Sequence, residues 1–372
     1  MPTAGDADHL RLLRAFLAGR PSELERWLTE RPPVGEGFHD FLERNALRPF
    51  FWPLLEKSEL IDRFSDRFIA RIRDAHAFCA NKNERLLRHT AEVQGLFDAA
   101  KIDAMVPKGP HLATHLYGDI GQRSSGDVDF LLRDSNDIER ADEMLQREGF
   151  ERRSIAVLGG RVFRAFTYES EYRRDDLHLD LHWALRRHFA LHLDYAGFWK
   201  RRDTLNLHGR DVYLPSDPDL LWCLILTTFT DVQHGKVKLR AFIDLWLMVR
   251  RLHDQDWDAF LSARQREGLS RITHGVMNML FALLGNREEF SALSRALETT
   301  ATSIQKLDEE SALVLLRGSD TSYRNRFWGF ELYDAPLWKS VGWALLSAPM
   351  KALVYQRLPQ VLQKRRRRLR SA

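Results

Sequence analysis

Cysteine is nearly absent from this chain: there are two, Cys79 and Cys223, in 372 residues. They lie far apart and outside any paired motif, which excludes a disulfide framework and a cysteine-based zinc site and favours a reducing compartment. Long apolar runs are also missing. The opening "MPTAGDADHLRLLRAFLAG" carries acids early and has no apolar core of the kind a secretory signal needs. The most apolar late stretch, Pro336 to Pro359, is broken by Lys339, Pro349 and Lys351 and makes a poor transmembrane span. No Gly-rich phosphate loop, dinucleotide fingerprint, nucleophile elbow or His-Glu-x-x-His pair is present, so classical kinase, hydride-transfer and zincin chemistry lack a motif.

What is present is a soluble composition, 44% apolar and 29% charged. The length suggests two domains, or one with helical additions. The net charge of +4 is concentrated in "KRRRRLR", Lys364 to Arg370, and without its six basic residues the chain carries −2. Attraction to phosphate or anionic lipid is therefore a property of the tail. A cytoplasmic location is expected, with peripheral contact at the inner membrane face through that tail. Over that surface contact, the favoured expectation for the region is a C-terminal helix docked on the body, followed by a disordered tail.

The periodicity divides the chain into an N-terminal helical region (1–100), an α+β core (101–215), a C-terminal helical region (216–358) and a basic tail (359–372). Helical spacing joins Leu10, Leu13, Phe16 and Leu17, then Leu24, Trp27 and Leu28. "RPPVGEG" breaks the pattern. A long helix is expected from Ser65 to Ala100, with Phe68, Ile72, Phe78, Leu86, Leu87, Val93, Leu96 and Phe97 on its apolar stripe. Strands are expected in "IDAMVP", "DVDFLLR", "RVFRAFTYES" and "DLHLDLHWAL", and helices in "PHLATHLYG" and, capped by Ser135, in "SNDIERADEMLQREGF". The fold class is thus α+β, a small mixed β-sheet flanked by helical regions.

The chemistry concentrates around "MVPKGPHLATHLYGDIGQRSSGDVDFLLRD". Residues i and i+2 of a strand share a face, so Asp127 and Asp129 project together. The same rule puts His178, Asp180 and His182 on one face of the later strand. If the strands are neighbours, Asp180 joins the pair. Three carboxylates at one spot need neutralising, which Mg²⁺, or Mn²⁺ in its place, achieves. Two such ions serve in-line displacement at phosphorus. Lys108-Gly109 at a strand-to-helix turn suits phosphate binding, Arg123 can clamp a second phosphate oxygen, and Ser125 can hydrogen-bond beside it.

Each piece has a plainer explanation. Asp-x-Asp is common in proteins that bind no metal. His178 and His182 can simply orient Asp180, touch substrate or lie exposed; they are too few for a zinc site. His234 suits a helix C-terminus, the alternative being a place facing the active cleft. Asp244, in the apolar "FIDLWLM", is expected to pair with Arg240. The case for a site rests on the order of strand, Lys-Gly, helix, basic residue, Asp-h-Asp, helix and a strand with a central Asp.

In that order the chain resembles the DNA polymerase β-type nucleotidyltransferase superfamily. Over residues 80 to 250 it is most similar to an uncharacterised bacterial nucleotidyltransferase family with a Leu-Lys-Gly first turn and an Arg-x-x-x-Asp-h-Asp element; "LDLHW" and the "HG" before the helix with Asp244 also match. The resemblance implies a metal-dependent enzyme using an NTP as substrate. Asp127, Asp129 and Asp180 would hold metal, Asp180 would double as general base, and Lys108 and Gly109 would hold the nucleotide phosphates. The acceptor would be a small molecule, peptide or protein, not a nucleic acid. A non-catalytic accessory on the same fold, serving peptide or polysaccharide maturation, is the alternative. The chain departs from the wider superfamily in having Lys-Gly-Pro where Gly-Ser is usual, and Pro110 brings no N–H.

Overall fold

A computed structural model describes residues 4–19, 36–153, 167–186, 188–252, 255–285, 287–300, 307–317 and 332–352. Helices α1 (Ala4–Leu17), α2 (Glu36–Arg44), α3 (Arg48–Glu56) and the long α4 (Asp66–Ala99) come first. Strand β1 (Ala104–Met105), α5 (His111–Tyr117), β2 (Val128–Leu132) and α6 (Ile138–Arg147) follow. Then come β3 (Glu151–Arg152), β4 (Glu169–Arg174), β5 (Leu177–His182), α7 (Tyr195–Lys200), β6 (Asp203–Leu207) and β7 (Arg210–Leu214). The rest is helical: α8 (Asp217–His234), α9 (Leu239–Arg251), α10 (Trp257–Arg266), α11 (Ser270–Leu284), α12 (Ser291–Thr299), α13 (Glu309–Leu316) and α14 (Leu337–Ala352). The α+β class expected from the sequence is what the chain adopts.

The residues group into two compact units, each built from separated segments. One comprises Met1–Arg85, Pro110–Ser125 and Leu221–Leu332; the other Leu86–Gly109, Gly126–Leu220 and Tyr333–Ala372.

The first unit is helical. Its aromatic centre brings Phe16, Phe38, Phe51, Phe64 and Phe68 together, with Phe16 edge-on to Phe51 at 4.7 Å. Arg14 of α1 donates to the carbonyls of Ala282 and Leu283, the C-terminal end of α11, which satisfies orphan acceptors there. On α4 the expected stripe is buried at Phe68 and Ile72, but Phe78 is 68% exposed. Cys79 takes the inward position instead, and the residue before it turns about 100° away. Burial pushes the Cys79 thiol up to about 11, so at neutral pH it is protonated and unreactive. Native protein is expected to resist iodoacetamide at pH 8, with alkylation rising only as the pH approaches 11 or on unfolding; stoichiometric labelling of Cys79 in folded protein at pH 8 would contradict this.

The second unit holds a five-stranded sheet in the order β1-β2-β5-β4-β3. β2 and β5 run parallel and the remaining neighbours antiparallel. One face carries Val128, Phe130, Tyr172, Leu179 and Leu181, all nearly inaccessible, with Phe97 of α4 packed 5.1 Å from Phe130. The amphipathic α6 closes over this face with Ile138, Ala141 and Leu145. Its start is a short 3-10 turn, and the cap there is Asp134, whose side chain accepts from the Asn136 N–H, one residue before the expected Ser135. The β6–β7 hairpin, not anticipated, turns through His208 and Gly209, both at positive φ, in the two-residue form such hairpins favour. The expected helix through Leu24–Leu28, most of the expected strand at Arg161–Ser170, and the basic tail lie outside the described residues.

Candidate active site

The polar face of the sheet gathers the candidate residues. β2 and β5 are paired so that Asp129 sits directly beside Asp180. Adjacent parallel strands in register place such partners on the same face, so the two carboxylates converge as the sequence pattern suggested. β4 adds Glu169 opposite His182 and Glu171 opposite Asp180. The alternation of "LHLDLH" sends the leucines into the core and the acid and histidines out of it.

Asp129 is the centre of the arrangement and is 1% exposed. One of its oxygens, Oδ1, receives both the Lys108 ammonium at 2.9 Å and the His182 Nε2 at 2.8 Å. Burial alone would raise its pKa; Lys108 and His182 overcome it and hold the carboxylate at about 2. Reciprocally, burial would discharge Lys108, and the charges of Asp129, Asp127 and Asp180 reverse that and keep its ammonium protonated. His182 is likewise pushed up, against burial, by its bond to Asp129 and the charges of Glu169 and Asp129. Its Nδ1 lies 3.4 Å from Glu169 Oε2 but is buried without a hydrogen bond. Asp180 is pushed up to about 7, first by burial and then by the charge of Asp129.

Asp129, Asp180 and His182 each offer a ligand atom, all within 4.8 Å of one another. Two carboxylates and an imidazole suit a divalent cation such as Mn²⁺ or Mg²⁺. The buried Nδ1 of His182, lacking a hydrogen bond, and the carboxylate excess around Lys108 fit such a group. Asp127, half-exposed just before β2, acts electrostatically on Lys108 and Asp180 but is not part of that close set. His182 is the member expected only to orient Asp180, touch substrate or lie exposed; its period-two relation to Asp180 is the signal that places it here. Glu169 was not anticipated, since its strand neighbour could not be assigned from pattern alone. His178 lies on the exposed end of the face, 3.3 Å from Arg173.

Gly109 has φ 152°, a conformation that favours glycine, and this is the reason for glycine after Lys108. Pro110 follows as the N-cap of α5, whose seven residues give it little dipole.

Arg123 and Ser125 belong to the helical unit. The Arg123 Nε donates to both oxygens of Asp244, at 2.9 and 3.1 Å, and its Nη1 donates to Ser125 Oγ at 3.2 Å. The Tyr117 hydroxyl donates to Asp244 Oδ1 at 2.5 Å. Asp244 thus binds Arg123 and Tyr117, while Arg240, its expected partner, donates to the Ser124 carbonyl at 2.6 Å. His234 ends α8, as its spacing suggested.

Residues 36–285 match a family described as uncharacterised nucleotidyltransferase. Among solved structures, an antigenic nucleotidyltransferase-like protein from Paracoccidioides brasiliensis matches at 18% identity, covering 59% of this chain and 93% of that one, with a TM-score of 0.31. That superposition is too loose to add a structural argument. No curated protein matches.

Proposed function

The chain belongs to the uncharacterised nucleotidyltransferase family, and from that membership we propose that it transfers a nucleoside monophosphate from an NTP to an acceptor hydroxyl. The observation that carries this reading is the in-register placement of Asp129 beside Asp180 on the polar face of parallel strands. The acceptor oxygen forms a bond to the α-phosphorus, the bond to the bridging oxygen breaks, and pyrophosphate leaves. The acceptor's proton passes to a carboxylate oxygen of Asp180. Asp129, Asp180 and His182, with Asp127 beside them, would hold Mg²⁺ or Mn²⁺, which when bound neutralises phosphate charge and lowers the barrier to displacement. Lys108, at a turn kept open by Gly109, exchanges Asp129 for a phosphate oxygen as nucleotide enters. Arg123 and Ser125, the expected second phosphate contact, lie in the helical unit and are no part of the close set on the sheet. Most of the work is positioning and charge compensation.

The acceptor is a small molecule, peptide or protein, because the chain without its basic tail carries −2 and so offers no net attraction to a nucleic-acid backbone. Two free, buried cysteines support a reducing, cytoplasmic setting.

One observation favours a second reading, a non-catalytic binding protein on the same fold. Lys108 and His182 both reach Asp129 Oδ1 and compensate its charge from within the chain. Titration calorimetry with a non-hydrolysable NTP, with Mg²⁺, Mn²⁺ or chelator, separates the two. The enzyme reading expects nucleotide affinity to fall about 10–100-fold on chelation and on Asp180→Asn, together with metal-dependent pyrophosphate release from NTP supplied with acceptor mixtures. Affinity indifferent to metal and to Asp180→Asn would sink it.

A further inference from the structure

Among the described residues, six large hydrophobic side chains are conspicuously exposed, and five of them are on α14: Leu337, Trp338, Val341, Leu345 and Leu346. Trp338 is 72% exposed and Leu345 71%, the largest values of the set. Such concentration on one helix is unlike the scattered exposure that soluble surfaces show. At 100° per residue, Trp338, Val341, Leu345 and Leu346 fall on one arc. Ser340 lies opposite, 1% exposed, and Trp343 turns inward to meet His188 and Phe189. The helix is therefore seated by one side and offers an apolar stripe on the other. Lys339 stands at the edge of that stripe, its ammonium 5.3 Å from the Trp338 ring.

The sequence from Leu337 to the end sharpens the chemistry. It contains nine basic residues, Lys339, Lys351, Arg357, Lys364–Arg368 and Arg370, and no acid. An apolar helix face carrying tryptophan, followed by a stretch without acids that ends in a basic cluster, matches an interfacial element that lies in the plane of an anionic bilayer. No helix among the described residues is long and apolar enough to cross one. A nucleic acid would account for the cations but leave the leucines and Trp338 uncovered. A second copy of the chain would cover the stripe but would set one cationic segment against another.

We propose that α14 and the basic segment after it dock the protein on an anionic lipid surface, the stripe entering the interface and the cations meeting the headgroups. This extends beyond the transfer reaction and stands without it.

The test is co-sedimentation of the full chain with phosphatidylcholine vesicles, with and without phosphatidylglycerol. The expected result is binding to the anionic vesicles only. Trp338→Ser/Leu345→Ser and Arg365→Gln/Arg366→Gln/Arg367→Gln/Arg368→Gln are each expected to weaken it at least about tenfold. Both sets change exposed or tail positions, and circular dichroism verifies their folding. No preference for anionic vesicles overturns the proposal. So does full binding by the Trp338/Leu345 variant, which leaves only a tail effect. Tighter capture by single-stranded RNA than by anionic vesicles at equal salt overturns it in favour of nucleic acid. A light-scattering mass of two chains that falls to one with Trp338→Ser/Leu345→Ser overturns it in favour of self-association.

Discussion

Asp129→Asn is expected to cost about 3 kcal/mol of folding stability and to abolish metal-dependent nucleotide binding. The reason is the load on one oxygen. Oδ1 receives the Lys108 ammonium and the His182 imidazole, and the side chain is almost fully buried. An amide of the same shape keeps the volume but removes the charge, leaving a cation and an imidazole in a partly desolvated site without their counter-ion. Urea unfolding reads the stability, and calorimetry reads the nucleotide. The double variant Lys108→Gln/Asp129→Asn removes the orphaned ammonium and should regain about 1–2 kcal/mol of coupling, with no return of metal binding. Lys108→Gln alone separates the roles further. It frees the carboxylate, so metal alone should bind more tightly while nucleotide binds less well. An Asp129→Asn protein as stable as wild type would mean that the buried pair contributes nothing.

The polar face of the sheet was legible because strand alternation is a local property. "DVDFLL" and "LHLDLH" each announce which residues share a face, and the paired register of β2 and β5 then brings Asp129 to Asp180. The same reading could not say which oxygen Lys108 would meet. That depends on the turn at Gly109, whose positive φ is set by tertiary closure and leaves no periodic trace. The resemblance put Asp127 with Asp129 and Asp180, whereas the close set has His182; Asp127 lies just before β2 and His182 at the end of β5. The long helix α4 was found to within a residue at each end. Its stripe was read one position astray at Phe78, because cysteine carries less weight in an apolar pattern than phenylalanine although it buries readily. The β6–β7 hairpin leaves a weaker trace, although "NLHGRDVYL" alternates about a two-residue turn. There the strands are half-exposed, and the pattern is correspondingly faint.

Asp244 shows where pattern reasoning stops and yields the second large effect. An acid inside "FIDLWLM" demands a partner, and Arg240 on the same helix was the local candidate. The partner is Arg123, distant in sequence, with the Tyr117 hydroxyl on the same carboxylate. Both Asp244 and Arg123 are nearly inaccessible, at 3% and 6%. Burial and the Asp244 charge push the Tyr117 hydroxyl far up, so it stays a donor. Arg240 is pulled down by burial and by the Arg123 charge. Asp244→Ala removes that carboxylate and is expected to destabilise the protein by about 4 kcal/mol, the usual scale for orphaning a buried charge. Arg123→Met/Asp244→Leu deletes both charges and should recover a large part of the loss in the same denaturation experiment. Arg123→Lys keeps a charge but lacks the second guanidinium nitrogen that holds Ser125 while Nε holds Asp244, and it should fall between them.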